Sequence, residues 1–294
     1  PLCGAGEVRV LHGMRFALAR ESPLPGAYDV ASCTRCRFVY ADTAGTAADY
    51  ERHYAEHSRY EDPALATGGG DRPEDNARIA ELAGWIAARA PADARVADIG
   101  CGNGGVLEAL RSLGFSRLAG IDPAPGCVAR LRSRGFRAWQ GTLARLPAEA
   151  EPFDFVLLSH VLEHVLDPRA ALRRLRDRLA PGAQLCLETP DAARYAGGPF
   201  VPFYFFDAEH INHFDAASLA DLGAREGYAM RAQLQGELVV EGGKRYPVAR
   251  VLLADAGAAS ATVSHDALTG TVQAYIEESR RRGEDAALAA LIAS

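Results

Sequence analysis

The sequence lacks long hydrophobic runs, an excess of positive charge, internal repeats and low-complexity tracts. No window reaches the roughly 18 unbroken apolar residues of a membrane helix, and the first residues lack the basic and apolar regions of a signal peptide. Basic side chains number 32 and acidic ones 38, so the net charge of −6 gives no global attraction for phosphate backbones. We therefore expect a cytoplasmic protein that has neither a membrane nor a nucleic acid as its partner.

The composition that remains is that of a globular protein. Hydrophobic residues make up 48% of the 294 residues and charged residues 24%, which excludes a disordered or a fibrous chain. A chain of this length accommodates one large α/β domain with an appendage, or two smaller domains.

Strand and helix patterns alternate through the middle of the chain. A helical pattern begins at Pro73 and ends before Pro91, and Asp167-Pro168 supplies the N-cap and the first residue of a later helix. Strands separated by helices form a parallel sheet that is covered on both faces. We predict a doubly wound α/β fold with its ligand crevice at the carboxyl ends of the strands. Strands are predicted at 95–99, 117–122, 136–139, 153–159 and 183–189, with a closing β pair at 228–234 and 248–254.

Changes of pattern divide the sequence into four segments. Residues 1–42 form a cysteine-rich module, and residues 43–72 form a polar and aromatic linker or lid that contains a run of three glycines. Residues 73–262 form the doubly wound domain. Residues 263–294 are expected to be a C-terminal helical tail, which could begin a further domain.

Three of the six cysteines fall near the start of the chain and suggest a metal site. Cys33-Thr-Arg-Cys36 is a CxxC pair, and Cys3-Gly4 resembles the second half of another pair, whose first cysteine would precede Pro1 in a trimmed sequence. Two such pairs form a tetrahedral zinc site, because four thiolates satisfy the coordination of Zn²⁺. We expect Cys3, Cys33 and Cys36 to be structural zinc ligands, and a chain without the fourth ligand to bind metal poorly. The alternative is two unrelated turns with free thiols.

The most informative motif is a run of glycines after the first predicted strand of the sheet, Asp98-Ile-Gly-Cys-Gly-Asn-Gly104. Such glycines let the backbone approach a ligand closely, and the next helix presents unpaired N–H groups. The spacing also satisfies the dinucleotide pattern GxGxxG, so it does not by itself exclude NAD. Asp98 favours a ligand that carries an ammonium group and a sulfonium, and Asp122 is placed to accept ribose hydroxyls. Together these residues favour S-adenosylmethionine.

Three segments together resemble the signature segments of class I S-adenosylmethionine-dependent methyltransferases. These are residues 98–104, Asp122 and residues 153–164, and the match covers about residues 73–230. The resemblance implies a Rossmann-like fold with a seven-stranded sheet whose last strand runs antiparallel. It also implies that Gly100 and Gly102 line the methionine moiety, and Thr142 stands where relatives often carry an acidic residue near the adenine. The positions assigned to the cofactor are Asp98, Gly100, Cys101, Gly102, Asp122, Pro123, Thr142, Leu143, Ser159 and His160.

The cysteine module and the segment Phe205-Phe-Asp-Ala-Glu-His-Ile-Asn-His-Phe214 resemble a zinc-containing branch that includes C-methyltransferases of deoxysugar biosynthesis. In that branch a Glu-His pair stands beside the substrate, and a tyrosine-rich stretch closes over it. Glu209-His210 correspond to the pair, and Tyr50, Tyr54 and Tyr60 correspond to the tyrosines. The chain departs from the branch at His213, where an aromatic residue often stands. Members of the branch usually continue into a further C-terminal α/β domain, whereas this sequence ends at residue 294.

The resemblance assigns chemical roles to these side chains. An acceptor carbon beside a ketone must lose a proton before it is methylated, and a histidine near neutrality is a natural base. We expect His210 to be that base and Glu209 to orient it or hold its charge, for a carbon or a hydroxyl acceptor alike. The positions assigned to the substrate are Tyr50, Tyr54, His164 and His213.

The sequence therefore predicts an S-adenosylmethionine-dependent methyltransferase of a small molecule, such as a nucleotide-linked sugar or a related biosynthetic intermediate. An RNA base methyltransferase with an N-terminal zinc finger is a second hypothesis, which the acidic balance and the absence of basic–aromatic interleaving disfavour. A non-catalytic cofactor-binding protein is a third, which the intact Glu209-His210 pair disfavours.

Overall fold

The computed structural model describes residues 2–57, 73–148, 150, 152–256 and 264–293, and within these it forms two sheets. The strands are β1 (Val8–Arg15), β2 (Ala27–Cys33), β3 (Val39–Thr43), β4 (Arg95–Ile99), β5 (Arg117–Asp122), β6 (Arg137–Gln140), β7 (Phe153–Ser159), β8 (Leu179–Pro190), β9 (Asn212–His213), β10 (Tyr228–Val240) and β11 (Lys244–Asp255). The helices are α1 (Ala47–Arg52), α2 (Pro73–Ala87), α3 (Gly105–Ser112), α4 (Pro125–Ser133), α5 (Pro168–Arg176), α6 (Ala216–Arg225) and α7 (Asp266–Ala293). No helix among the described residues combines the length and the apolar character needed to cross a membrane.

The larger sheet has seven strands in the order β10-β11-β8-β7-β4-β5-β6. Strands β8, β7, β4, β5 and β6 are mutually parallel, and β11 runs antiparallel to both of its neighbours. This confirms the predicted doubly wound sheet with an antiparallel strand near its end. The strands β4, β5 and β7 have the predicted bounds, because each is a short apolar run that ends at a turn.

The closing pair β10 and β11 is longer than the sequence predicted. Strand β10 continues from Leu234 to Val240 at the edge of the sheet, where buried or partly buried residues alternate with exposed ones. An edge strand needs an apolar side chain only at every second position. The residues between them are polar, so the sequence gives only a weak indication of a strand.

Helices cover both faces of the large sheet, as the βα alternation predicts. On one face Leu82 of α2 and Leu107 of α3 pack in a core cluster with Phe155 of β7. On the other face Leu172 of α5 and Leu219 of α6 pack in a second cluster, which Val156 of β7 also joins. Neighbouring residues of β7 thus serve opposite faces, since side chains alternate along a strand.

The smaller sheet joins the N-terminal module to the rest of the chain. Its order is β1-β2-β3-β9, all antiparallel, and β9 comes from the connection that precedes α6. The C-terminal helix α7 packs against the same module, where Ser32 Oγ lies 3.1 Å from Thr269 Oγ1 and the His265 N–H donates to the Cys36 carbonyl at 2.8 Å. Residues 1–42 and 264–293 are therefore in direct contact across the fold.

The first part of the predicted linker or lid is helical. Helix α1 begins after Thr46, whose hydroxyl and backbone form a capping box with Asp49, and it continues into a π-helical turn over residues 53–57. Tyr50, within α1, is buried. Tyr60 and the run of glycines lie outside the described residues.

Candidate active site

The glycine turn after β4 has the backbone geometry that the motif predicted. Gly100, Gly102 and Gly104 have φ angles of 77°, 49° and 75°, a region that only glycine adopts without strain. A Cβ on Gly100 would also lie 2.5 Å from Cγ2 of Val161, which follows β7. The turn therefore exposes its backbone at the carboxyl edge of the sheet, where the N-terminal end of α3 adds unpaired N–H groups.

Gly100→Ala should weaken cofactor binding by more than it weakens folding. Both the left-handed φ and the contact with Val161 oppose the added methyl group, and together they displace the turn. Gly182→Ala is the matched control, because Gly182 has a φ of 79° and nothing within 4 Å of its Cβ position. Thermal unfolding should show both variants destabilised, and calorimetry should show S-adenosylhomocysteine binding lost only in Gly100→Ala. Equal binding by the two variants would contradict the role given to this turn.

Two buried carboxylates flank the glycine turn. Asp98 is 4% exposed at the end of β4, and Asp122 is 5% exposed at the end of β5. Burial raises the pKa of Asp98 to about 7, the charge of Asp122 adds to this effect, and Arg78 opposes it. An ammonium group of a ligand placed here would stabilise the ionised form of Asp98, which burial disfavours. This position therefore fits the cationic end of S-adenosylmethionine.

Asp122 also holds the turn in place. Its Oδ2 accepts a hydrogen bond from the Gly102 N–H at 2.8 Å, and its Oδ1 accepts one from the Ala124 N–H at 2.9 Å. A carboxylate oxygen that accepts a hydrogen bond from a backbone N–H can accept a second one, which suits a ribose hydroxyl. Asp122 therefore combines a structural role, which the sequence did not indicate, with the predicted position beside the ribose.

The other positions assigned to the cofactor lie in the turns along the same edge. The Gly141 N–H, just before Thr142 and Leu143, donates to the Asp122 carbonyl at 3.0 Å, and Gln140 Nε2 donates to the Pro123 carbonyl at 3.0 Å. These contacts bring the turns after β5 and β6 together. Cys101 is buried next to Gly100.

Ser159 ends β7, His160 follows it, and the side chains of both contact buried glutamates. Ser159 Oγ donates to Glu188 Oε1 at 2.8 Å, and His160 Nδ1 donates to Glu163 Oε1 at 3.1 Å. His160 has a φ of 55°, which is uncommon for a residue other than glycine and strained. Val161, the next residue, lies against Gly100, and Glu163 follows two residues later, so the turn at His160 connects the glycine turn to the polar side chains described next.

We call Glu163, His164 and His210 the histidine–glutamate cluster, since one potential ligand atom of each lies within 4.8 Å of those of the other two. Glu163 is 1% exposed, and the rings of His164 and His210 have centroids 4.9 Å apart. Burial alone would raise the pKa of Glu163, but the hydrogen bond from His160 and the charges of the nearby histidines lower it to about 2. The structure thus brings the predicted base His210 and the predicted substrate contact His164 together.

Glu209 does not pair with His210, although the two are neighbours in sequence. Its carboxylate lies 3.4 Å from Nε2 of His53, and its backbone carbonyl accepts a hydrogen bond from His164 Nδ1 at 3.0 Å. The carboxylate nearest to His210 Nδ1 in a described ion pair is Asp207, at 3.6 Å. His53 lies four residues before His57 in the sequence, a spacing that suits a metal site on a helix, but no sequence pattern indicated its contact with Glu209.

The remaining positions assigned to the substrate differ in exposure. The Tyr54 ring is half-buried and meets His164 edge-on, with ring centroids 5.5 Å apart. Tyr50 is 5% exposed, and its hydroxyl donates to the Ala208 carbonyl at 3.4 Å. His213 is fully buried in the smaller sheet, where its Nδ1 lies 3.4 Å from the Tyr195 hydroxyl and burial lowers its pKa to about 3. Tyr50 and His213 therefore occupy packing positions, and Tyr54 lies at the cluster.

The three N-terminal cysteines lie together at the base of the smaller sheet. Cys3 Sγ is 3.5 Å from Cys33 Sγ, and the thiols of Cys3, Cys33 and Cys36 all lie within 4.8 Å of one another. In the part of the chain that the structure describes, no fourth histidine, cysteine or carboxylate joins this group. The predicted ligands are thus brought together as a set of three thiols.

Comparison with known proteins identifies a matching family and relatives that align with part of the chain. Residues 71–233 match a family described as a methyltransferase domain. A ubiquinone biosynthesis O-methyltransferase from Azorhizobium caulinodans is 37% identical over 101 residues, which are 32% of this chain and 40% of that protein. A tRNA U34 carboxymethyltransferase from Campylobacter hominis is 34% identical over 101 residues, which are 32% of this chain and 35% of that protein. The chain thus spans less than half the length of these two relatives.

A solved structure with a similar fold covers more of the chain. The CcbJ methyltransferase from Streptomyces caelestis aligns with a TM-score of 0.53 at 17% identity, over 69% of this chain and 100% of that one. At this level of identity the likeness concerns the fold alone.

Proposed function

Because the chain belongs to the methyltransferase domain family of class I S-adenosylmethionine-dependent enzymes, we propose that it methylates a small molecule with His210 as the general base. The observation that carries this proposal is the adjacency of two sites. Val161 packs against Gly100 of the cofactor turn, and two residues later Glu163 begins the histidine–glutamate cluster. An acceptor held at this cluster is therefore close to a donor held at the glycine turn.

Some residues of the chain align the methyl donor, and others remove a proton from the acceptor. S-adenosylmethionine, when bound, supplies a methyl group on a sulfonium that is already activated, so alignment is the main requirement. Asp98, Gly100, Gly102 and Asp122 bind and orient the donor. His210 accepts the acceptor's proton, and Glu209 acts through His53 and through its carbonyl contact to His164.

We propose a nucleotide-linked sugar or a related biosynthetic intermediate as the acceptor, methylated at a carbon beside a ketone or at a hydroxyl. The resemblance at the neighbouring positions Glu209 and His210 and the place of the Tyr54 ring beside His164 support this class. The name of the Azorhizobium relative, an O-methyltransferase, favours oxygen as the receiving atom. The tRNA-directed relative keeps an RNA acceptor as the alternative, and the net charge of −6 weighs against it.

We also propose that Cys3, Cys33 and Cys36 hold a structural Zn²⁺ ion. Thiolates are the ligands that zinc prefers in structural sites, and the three sulfurs lie close enough to converge on one ion. The Cys36 carbonyl accepts a hydrogen bond from the N–H of His265, which lies just before α7. An ion bound by the cysteines would therefore stabilise the contact between the N-terminal module and α7.

The test of the proposed function has two stages. Calorimetry should show S-adenosylhomocysteine binding at one molecule per chain, with no binding of NAD. The protein is then incubated with S-adenosylmethionine and a panel of keto-sugar nucleotides, phenols, other hydroxylated metabolites and tRNA. Mass spectrometry should find one added methyl group on a small molecule. Binding of NAD instead, or methylation of tRNA alone, would contradict the proposal.

A further inference from the structure

The histidine–glutamate cluster has buried ligand atoms that lack hydrogen-bond partners among the residues that the structure describes. Glu163 is 1% exposed, its Oε1 accepts the hydrogen bond from His160, and its Oε2 accepts none from a described residue. His210 Nδ1 is likewise buried without a hydrogen-bond partner in the described part of the chain, since Asp207 Oδ2 is 3.6 Å away. A buried acceptor atom left unpaired is costly, so these atoms indicate a missing ligand.

The third member of the cluster is already oriented as a metal ligand. His164 Nδ1 donates its proton to the Glu209 carbonyl, which leaves the lone pair of the neutral ring on Nε2. That Nε2 lies 4.0 Å from Glu163 Oε1. Histidines that bind metal ions commonly donate their other ring N–H to a backbone carbonyl or a carboxylate, because this fixes the ring and its tautomer.

The spacing of the cluster is close to that of a coordination shell. Histidine nitrogens and carboxylate oxygens bind zinc-like ions at about 2.0–2.2 Å, so neighbouring ligand atoms of a tetrahedral site are about 3.4 Å apart. The cluster's atoms lie within 4.8 Å of one another, and small side-chain rotations would close the difference. Two histidines and one carboxylate form a common ligand set for divalent transition metals that keep an open position.

We propose that Glu163, His164 and His210 form a binding site for a divalent transition-metal ion, and that the ion inhibits methyl transfer. A neutral imidazole has one free lone pair, so an ion on His210 takes the lone pair that would accept the acceptor's proton. The inhibition rests on the proposed function, whereas the binding of the ion does not. The site is distinct from the three thiols of Cys3, Cys33 and Cys36.

Binding is tested with Co²⁺ as a spectroscopic probe, using the wild type and three variants. Nitrogen and oxygen ligands give only weak visible bands, whereas a thiolate site adds an intense sulfur-to-cobalt charge-transfer band, so the spectrum separates the cluster from the cysteines. Glu163→Gln should weaken the nitrogen–oxygen site by at least the roughly 10- to 100-fold that loss of an outer ligand partner costs. His164→Asn should do the same and decides the question if Glu163→Gln does not fold. Glu56→Gln, an exposed glutamate on the nearby π-helical turn, should bind Co²⁺ as the wild type does.

Inhibition is tested with Zn²⁺ in the methyl-transfer assay. Micromolar Zn²⁺ should reduce turnover by the wild type at least tenfold, EDTA should restore it, and S-adenosylhomocysteine affinity should not change. Unchanged Co²⁺ spectra in Glu163→Gln and His164→Asn would overturn the site. Faster transfer by the Zn²⁺-loaded protein would overturn the inhibition and the role of His210 as base. If no acceptor is methylated at all, the proposed function fails, and the Co²⁺ titration still decides the metal site.

Discussion

Replacing His210 with asparagine should lower kcat by roughly 10²- to 10⁴-fold, the range that general-base catalysis contributes. Asparagine keeps a polar side chain of similar reach but accepts no proton at neutral pH. His210 lies in the loop before β9 and at the histidine–glutamate cluster, whereas the proposed cofactor contacts lie in the turns after β4 and β5. The affinity for S-adenosylhomocysteine should therefore stay within about twofold, as measured by calorimetry on the folded variant.

The control for this prediction is His57→Asn. His57 is part of the π-helical turn that also carries His53, it is more exposed than His210, and its described ion-pair partner is Glu56. The same substitution there should leave kcat within about twofold of wild type. If His210→Asn turns over as fast as the control, another group removes the proton, and His53 beside Glu209 becomes the candidate.

Asp98→Asn should have opposite effects on cofactor binding and on folding. Asparagine carries no negative charge to attract the ammonium group of the ligand, so the affinity for S-adenosylhomocysteine should fall by at least about tenfold. The free protein should be more stable than wild type at pH 8, because burial of the charged carboxylate is costly and asparagine carries no charge. Its thermal midpoint should rise by several degrees, which differential scanning calorimetry measures.

The pH dependence of stability follows from the same pKa. Burial and the charge of Asp122 raise the pKa of Asp98 from 3.8 to about 7, so the folded protein favours the protonated form. The stability that this proton contributes is fully present below about pH 4 and is lost as the pH rises through about 7. Cofactor affinity changes in the other direction, increasing between pH 6 and 8 as Asp98 ionises. Both slopes should be absent in Asp98→Asn.

Asp154→Asn is the matched control, because the same substitution should there act in the opposite sense on stability. The carboxylate of Asp154 accepts hydrogen bonds from the Arg95 guanidinium at 2.7 and 2.8 Å, and these bonds lower the pKa of Asp154 to about 2. Its removal should modestly destabilise the protein at neutral pH and leave cofactor binding unchanged. A destabilised Asp98→Asn variant with normal cofactor affinity would contradict the role given to Asp98.

Some of the site could be predicted because its parts are close in sequence. Asp98, Gly100 and Gly102 lie within one turn, and Asp122 ends the next strand along the chain. The glycine conformations and the order of strands β4 and β5 then follow from the motif and from the right-handed βαβ connection. The hydrogen bond from Gly102 to Asp122 is the detail that the motif did not reveal.

The acceptor side of the site could be predicted less well because its parts come from distant segments. The neighbouring positions of Glu209 and His210 suggested a pair, yet their side chains diverge and Glu209 meets His53 from the helical turn after α1. His213 has the residue type of a site histidine, but its place in β9 puts it in the core of the smaller sheet. Residue type and spacing do not predict which way a side chain points in a loop. A loop lacks the regular period that relates neighbouring side chains in a helix or a strand.

The sequence by itself determined the doubly wound sheet, the glycine turn and the two carboxylates beside it. Periodic patterns and single-turn motifs act over a few residues, so they determine structure wherever contacts are local. Only the tertiary structure decided that α7 packs on the cysteine module, that β9 completes the smaller sheet, and that Glu163, His164 and His210 meet. These contacts join segments far apart in the chain, and the packing of all the elements together selects them.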